Sequence, residues 1–195
     1  MNTLKSANRE AEMSDKEMRR QIVTLLFAVV VAFLISALAY VFFLLHPEAA
    51  CYLASNPIYI GIWPPNLQDA NVLLRAGYAI ADSCILLSTR SIVSVVMLIY
   101  IFYLFVSQIW VKDTSYVPKL IPIAAGLILL YLWTSTKAIS TEPASIYTVS
   151  THSSVAVNLI KSFVKICGLY FGFSLLIQRM FALVRLKYNT GIGLK

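Results

Sequence analysis

IVTLLFAVVVAFLISALAYVFFLL, residues Ile22 to Leu45, decides the class of this fold. It holds 24 residues without a charge, and a hydrocarbon core is crossed by about 20 helical residues. No soluble helix needs an apolar surface on every side for that length. The stretch reads as a first transmembrane span. "SALAY" (Ser36 to Tyr40) inside it has a small-x-small pattern of the kind signal peptidase cuts. The apolar run continues through Val41 to Leu45, however, and the expectation is an uncleaved span.

The rest of the chain agrees. Of 195 residues, 59% are hydrophobic and 13% charged, whereas an ordinary soluble domain is about a quarter charged. Further spans are expected at Ser91 to Val111, Leu120 to Ile139 and Phe163 to Val184. Pro122 stands in the first turn of the third, where proline is tolerated. Lys165 and Arg179 lie near the ends of the fourth, where long basic side chains snorkel to headgroups.

The net charge of +7 is distributed by topology. With the N-terminus inside, the inner segments hold 11 basic residues: Lys5, Arg9, Lys16, Arg19, Arg20, Lys112, Lys119, Arg179, Arg185, Lys187 and Lys195. The outer segments hold five: Arg75, Arg90, Lys137, Lys161 and Lys165. The positive-inside rule therefore predicts four spans with both termini cytoplasmic. These basic residues do not form a patch interleaved with aromatics, so no nucleic-acid partner is expected. At the cytoplasmic ends they suit anionic lipid headgroups.

Between the spans, "SDKE" (Ser14 to Glu17) fits a capping box and predicts a helix start at Ser14. Residues 46 to 66 carry four prolines and the Trp63-Pro64-Pro65 break, and read as an irregular external loop. Asn66 to Cys84 sets Leu67, Ala70, Leu74, Gly77, Tyr78 and Ala81 on one stripe with Asp69, Arg75 and Asp82 off it. That pattern predicts an amphipathic external helix before the second span. Arg90 falls just outside the charge-free stretch and is expected at the interface. Were the span to begin near Ser83, it would be an intramembrane charge and a functional candidate. Cys51 and Cys84 share the outer side, and an oxidising compartment there would permit a disulfide. Cys167 reads as a small packing residue.

Chemistry is sparse. His46 and His152 have no ligand spacing around them, and no P-loop, HExxH or GxSxG is present. No Asp or Glu lies in the expected spans, which removes the carboxylate relay common in pumps. The expectation is a non-enzymatic protein with no cofactor and no metal.

The remaining feature is "GLYFGFSLLIQRMF" (Gly168 to Phe181), with two glycines four apart in an apolar run. On a helix, Lys161, Lys165, Gly168, Gly172, Leu175 and Arg179 share a sector of about 80°. Paired glycines let backbones approach, which drives association in lipid. This face predicts a close helix contact, either within the chain or with a partner protein or second copy. The opposite face, with Tyr170, Ser174, Ile177 and Phe181, is bulkier and expected toward lipid.

"LIKSFVKICGLYFGFSLLIQRMFALVRLKYNTG" (Leu159 to Gly191) also resembles the glycine-containing span and Leu-Lys exit of small inner-membrane subunits of type IVB (Dot/Icm-like) secretion and conjugative transfer systems. Tyr170, Gly172, Phe173, Leu186 and Lys187 carry the resemblance. It implies a bacterial inner-membrane part of a multiprotein transfer machine, with other integral membrane proteins as partners. The full expectation is one all-α integral-membrane domain over 1-195, with spans at 22-45, 91-111, 120-139 and 163-184 and external segments at 46-90 and 140-162. Its expected work is assembly, as a scaffold. The alternative is a pore or small-solute transport subunit lined by Ser94, Ser107, Gln108, Thr134 and Ser135.

Overall fold

The computed structural model describes residues 2–75, 77–110, 123–124, 139–140, 149–150 and 153–192, of which 2–18, 20–22, 108–110, 139–140, 149–150 and 186–192 are described by their backbone alone. The architecture is helical: α1 (Asn2–Leu45), α2 (Pro47–Ala54), α3 (Pro57–Gly61), α4 (Pro65–Arg75), α5 (Ile80–Trp110) and α6 (Val155–Ile192). The one extended feature among these residues is a two-residue parallel pairing of β1 (Ile139–Ser140) with β2 (Val149–Ser150).

Among the described residues, three helices are long and apolar enough to cross a membrane, at Val23–Leu45, Ile80–Ser107 and Val155–Arg185. By length and composition this is a helical membrane protein. The first stretch matches the expected span. The second begins eleven residues before Ser91, and α5 at 31 residues is long enough to cross about 30 Å and still reach beyond it. The fourth expected span is part of a helix that starts at Val155 instead of Phe163. The third, Leu120 to Ile139, lies almost wholly outside the described residues.

Helix order follows from the packing. Ala28 and Ala32 of α1 share a buried cluster with Met97, Tyr100 and Leu104, while Phe43 clusters with Ile85, Leu86 and Leu87. So α1 runs antiparallel to α5. In contrast, α5 and α6 rise together: Arg90 meets Ser162, and further along Phe105 packs edge-on to Phe181 with ring centroids 5.2 Å apart. Two parallel neighbours cannot be joined by a short turn. At the other end of the described chain, β1 contacts α4 beside the start of α5.

Several local expectations are corrected. The first helix does not begin at the Ser14 box; its backbone is helical from Asn2. Residues 46 to 66 are mostly helical, because three of their four prolines start helices and only Pro64 lies in a turn. Pro47, Pro57 and Pro65 each open one, at the position where the missing N–H leaves no bond unmade. Asn56 caps α3, its side chain accepting from Ile58 N and Tyr59 N. Trp63 lies in the expected break between α3 and α4, and its side chain is buried among those of α1, α5 and α6.

The helix expected over Asn66 to Cys84 stops at Arg75. Gly77 takes φ +73°, Tyr78 N donates to Leu73 O at 3.1 Å and Gly77 N to Leu74 O at 3.3 Å. That pair of bonds is a Schellman ending, which requires a left-handed residue and so favours glycine. The buried face of α4 is also the reverse of the expected one. Asn66, Asp69 and Leu73 are buried, while Leu67 and Leu74 are about half exposed. The polar residues win the interior because the bundle offers Asp69 a charged partner.

Candidate functional site

Helices α2 to α4 form a cap over the start of α5. Cys51 of α2 and Cys84 of α5 are joined by a disulfide, with Cα atoms 4.7 Å apart. Beside it, Ser88 Oγ donates to Ala50 O at 2.8 Å, and the Tyr59 hydroxyl donates to Ser88 O at 2.9 Å. Burial pushes the Tyr59 phenol up to about 12, so it remains a donor across the neutral range.

Under the cap lies a buried polar junction centred on Arg90. Its Nη1 donates to Asp69 Oδ2 at 2.5 Å and to Asn66 Oδ1 at 3.3 Å, and its Nε donates to Ser162 Oγ at 2.8 Å. Asn66 Nδ2 in turn donates to Leu87 O and Ser91 Oγ, both at 3.1 Å. Arg90 is 4% exposed and Asp69 1%. One charge pair thus ties α4, α5 and α6 together. A second buried cation, Lys165 of α6, acts on Asp69 electrostatically. Burial raises the Asp69 carboxyl from its ordinary value, while Arg90 and Lys165 pull it back.

This arrangement bears on three expectations. Arg90, expected at the interface, is enclosed in protein and falls within the candidate span Ile80–Ser107. Lys165 does not snorkel but is buried. The missing carboxylate of the spans is supplied from outside them, since α4 delivers Asp69 to α5. No spacing rule links residues 69, 90 and 162, and the sequence signal was limited to the unplaced charge at Arg90.

Of the glycine-face residues, Gly172 and Lys165 are buried, and Gly168, Leu175 and Arg179 are half-buried. This burial comes from the chain itself. The opposite face is not turned to lipid: Tyr170 and Ser174 are buried, and Ile177 packs on the core cluster with Met97 and Tyr100. Cys167 is a buried free cysteine, in keeping with a packing role.

Chemically, the junction is a satisfied ion-pair network rather than a reactive constellation. Among the described residues no three His, Cys, Asp or Glu side chains stand together to hold a metal. His152 lies outside the described residues, and His46 is exposed, with its ring 5.0 Å from that of Phe42. Comparison with protein-family models, with curated proteins and with solved structures gave no match, so the site is interpreted from its own geometry.

Proposed function

We infer that this chain is a non-enzymatic, multi-pass subunit of a bacterial inner membrane that assembles with other integral membrane proteins, with the α2–α4 cap as its docking element. The observation that carries the reading is the surface of that cap. Tyr52 is 79% exposed and Ile58 82%, on helices outside the candidate spans. The disulfide and the Arg90–Asp69 pair anchor the segments that carry them. Large apolar side chains presented on an anchored platform are the usual form of a protein contact.

The topology proposed with it is four spans, N-in and C-in, with the cap outside. Three observations support it: the parallel pairing of α5 with α6, which calls for a return crossing through the expected third span; the excess of basic residues on the inner segments; and the disulfide, which suits an oxidising compartment. The resemblance over Leu159 to Gly191 makes a secretion or conjugative transfer machine the assembly in question. Anionic headgroups would meet the basic cytoplasmic ends.

Tyr52→Ser and Ile58→Ser together test the reading. Gentle extraction of the wild-type chain should bring along specific membrane proteins, or a second copy, which the double variant loses while its helical content stays the same. Retention of every partner by a folded double variant would sink the proposal.

A transport role is favoured by one specific observation, the buried polar residues of α5 and α6. Ser94 of α5 and Asn158, Ser162, Lys165, Ser174 and Gln178 of α6 are buried, as are Ser88 and Ser91 toward the cap. Purified protein in liposomes that conducts ions or moves small solutes would promote this reading over assembly, and silence would remove it.

A further inference from the structure

Against the polar junction lies a cleft of about 210 Å³, enclosed by α1, α5 and α6. Its sides include Phe33 and Ala37 of α1, Val93 of α5, and Ile160, Phe163 and Ile166 of α6. Several polar residues border it, yet the surface they give it is almost all carbon. The reason lies in their hydrogen bonds. Thr89 Oγ1 donates to Ile85 O at 2.8 Å, Ser36 Oγ to Phe33 O at 2.9 Å and Ser162 Oγ to Asn158 O at 2.8 Å, so each hydroxyl is folded back onto its own helix. Arg90 turns Nε and Nη1 toward Ser162, Asn66 and Asp69.

This lining decides what the cleft accepts. A headgroup or polar solute would find almost no polar surface and would lose most of its hydration without replacement. Water needs two to four polar partners, and this lining is poorly suited to supply them. A hydrocarbon chain loses nothing and gains dispersion contacts with every wall. The volume is below the roughly 300–1,000 Å³ of pockets for drug-sized molecules, and has room for a segment of one alkyl chain.

Position supplies the source of that chain. The α1 side lies within Val23–Leu45 and the α6 side within Val155–Arg185, both apolar enough to cross a membrane. α1 and α6 each lean on α5 more than on each other, and Phe33 and Ile160 are 53% and 61% exposed beside the opening. Between α1 and α6 the Phe33 and Phe163 rings meet edge-on with centroids 5.7 Å apart. The cleft therefore opens sideways, at the depth of acyl chains.

We propose that this cleft binds one acyl chain of a bilayer phospholipid, which enters between α1 and α6 and lies over the Arg90–Ser162 contact. The chain fills the void and keeps water from the buried charge pair. The site is independent of the docking role given to the cap.

The test uses the full-length protein in phosphatidylethanolamine nanodiscs containing a phospholipid with a diazirine in one acyl chain. Val93 is 3% exposed and Ile166 fully buried, so lipid on the outer surface does not reach them. After irradiation, label is expected on Val93 and Ile166 severalfold above background, alongside the diffuse label on outward-facing Phe27 and Leu38. Ala37→Trp, which fills the cleft, should bring the label on Val93 and Ile166 to background and leave Phe27 unchanged. Ile160→Trp does the same from the other side should Ala37→Trp fail to fold. Absence of label at Val93 and Ile166, or label that survives a folded cleft-filling variant, overturns the proposal. Competition by a polyisoprenol or a free fatty acid, but not by excess unlabelled phospholipid, overturns the choice of occupant.

Discussion

α1 and α5 carry equally clear transmembrane stretches, yet the structure uses them in opposite ways. Only 11% of the apolar window of α1 is buried within the chain, against 61% for α5. Leu26, Phe27, Leu34 and Leu38 of α1 face outward, and the helix touches α5 through Ala28 and Ala32. The buried run of α5 is Ile85 to Ser91, a stretch that contains Ser88, Thr89, Arg90 and Ser91. In water the more apolar helix would be central. In lipid the tails are as apolar as leucine, so small and polar side chains gain most from a protein neighbour. Position in this bundle follows size and polarity, and hydrophobicity marks the periphery.

The sharpest way to break that comparison is to take polarity from the centre. Removing one partner of a buried pair leaves an uncompensated charge, so Arg90→Met or Asp69→Leu should each cost about 3–5 kcal/mol. The double variant should lose less than the sum, because neither member of the pair is then left buried without the other. Unfolding midpoints in detergent measure this cycle, and strict additivity would refute the ion pair as the organising contact. Cys51→Ser comes next. The bond closes a separation of 33 residues, and its loss should cost about 2–4 kcal/mol. In the wild-type protein neither thiol should react with a maleimide until a reductant is added.

Smaller effects sharpen the contrast at the edge of α1. Ala32 is fully buried against α5, and Ala32→Leu forces side chains and backbones apart at about 1–3 kcal/mol. Leu38 is 71% exposed, and Leu38→Ala should change stability by no more than about 0.5 kcal/mol. A larger loss at Leu38 than at Ala32 would mean that the outward face of α1 is an interface and not a lipid surface.

How much was legible depends on how local each signal is. The stretch Ile22 to Leu45 was sufficient for its span because length and lack of charge are properties of one segment. The prolines of residues 46 to 66 were visible, but whether a proline ends a helix or begins one depends on the residues that follow, and here Pro47, Pro57 and Pro65 begin them. Gly77 sat in the middle of an apparent amphipathic pattern, and the pattern hid the Schellman ending. The inversion of α4 was least legible. Periodicity locates a stripe but does not name what covers it, and Asp69 is interior only because Arg90 stands 21 residues away in sequence and in contact in space.

The sequence by itself determined that the bilayer is this chain's solvent and that its backbone bonds must close within helices. Those follow from composition and segment length. Only the tertiary structure decided which helix is central, that a cap carboxylate neutralises the arginine of α5, and that the polar atoms of Thr89, Ser162 and Arg90 turn away from a carbon-lined cleft. Apart from the hydroxyls of Thr89 and Ser162, which bond back onto their own helices, each of these is a pairing between residues far apart in the chain. Such a pairing is chosen by the energy of leaving a charge or a donor without a partner, a quantity that no single segment carries.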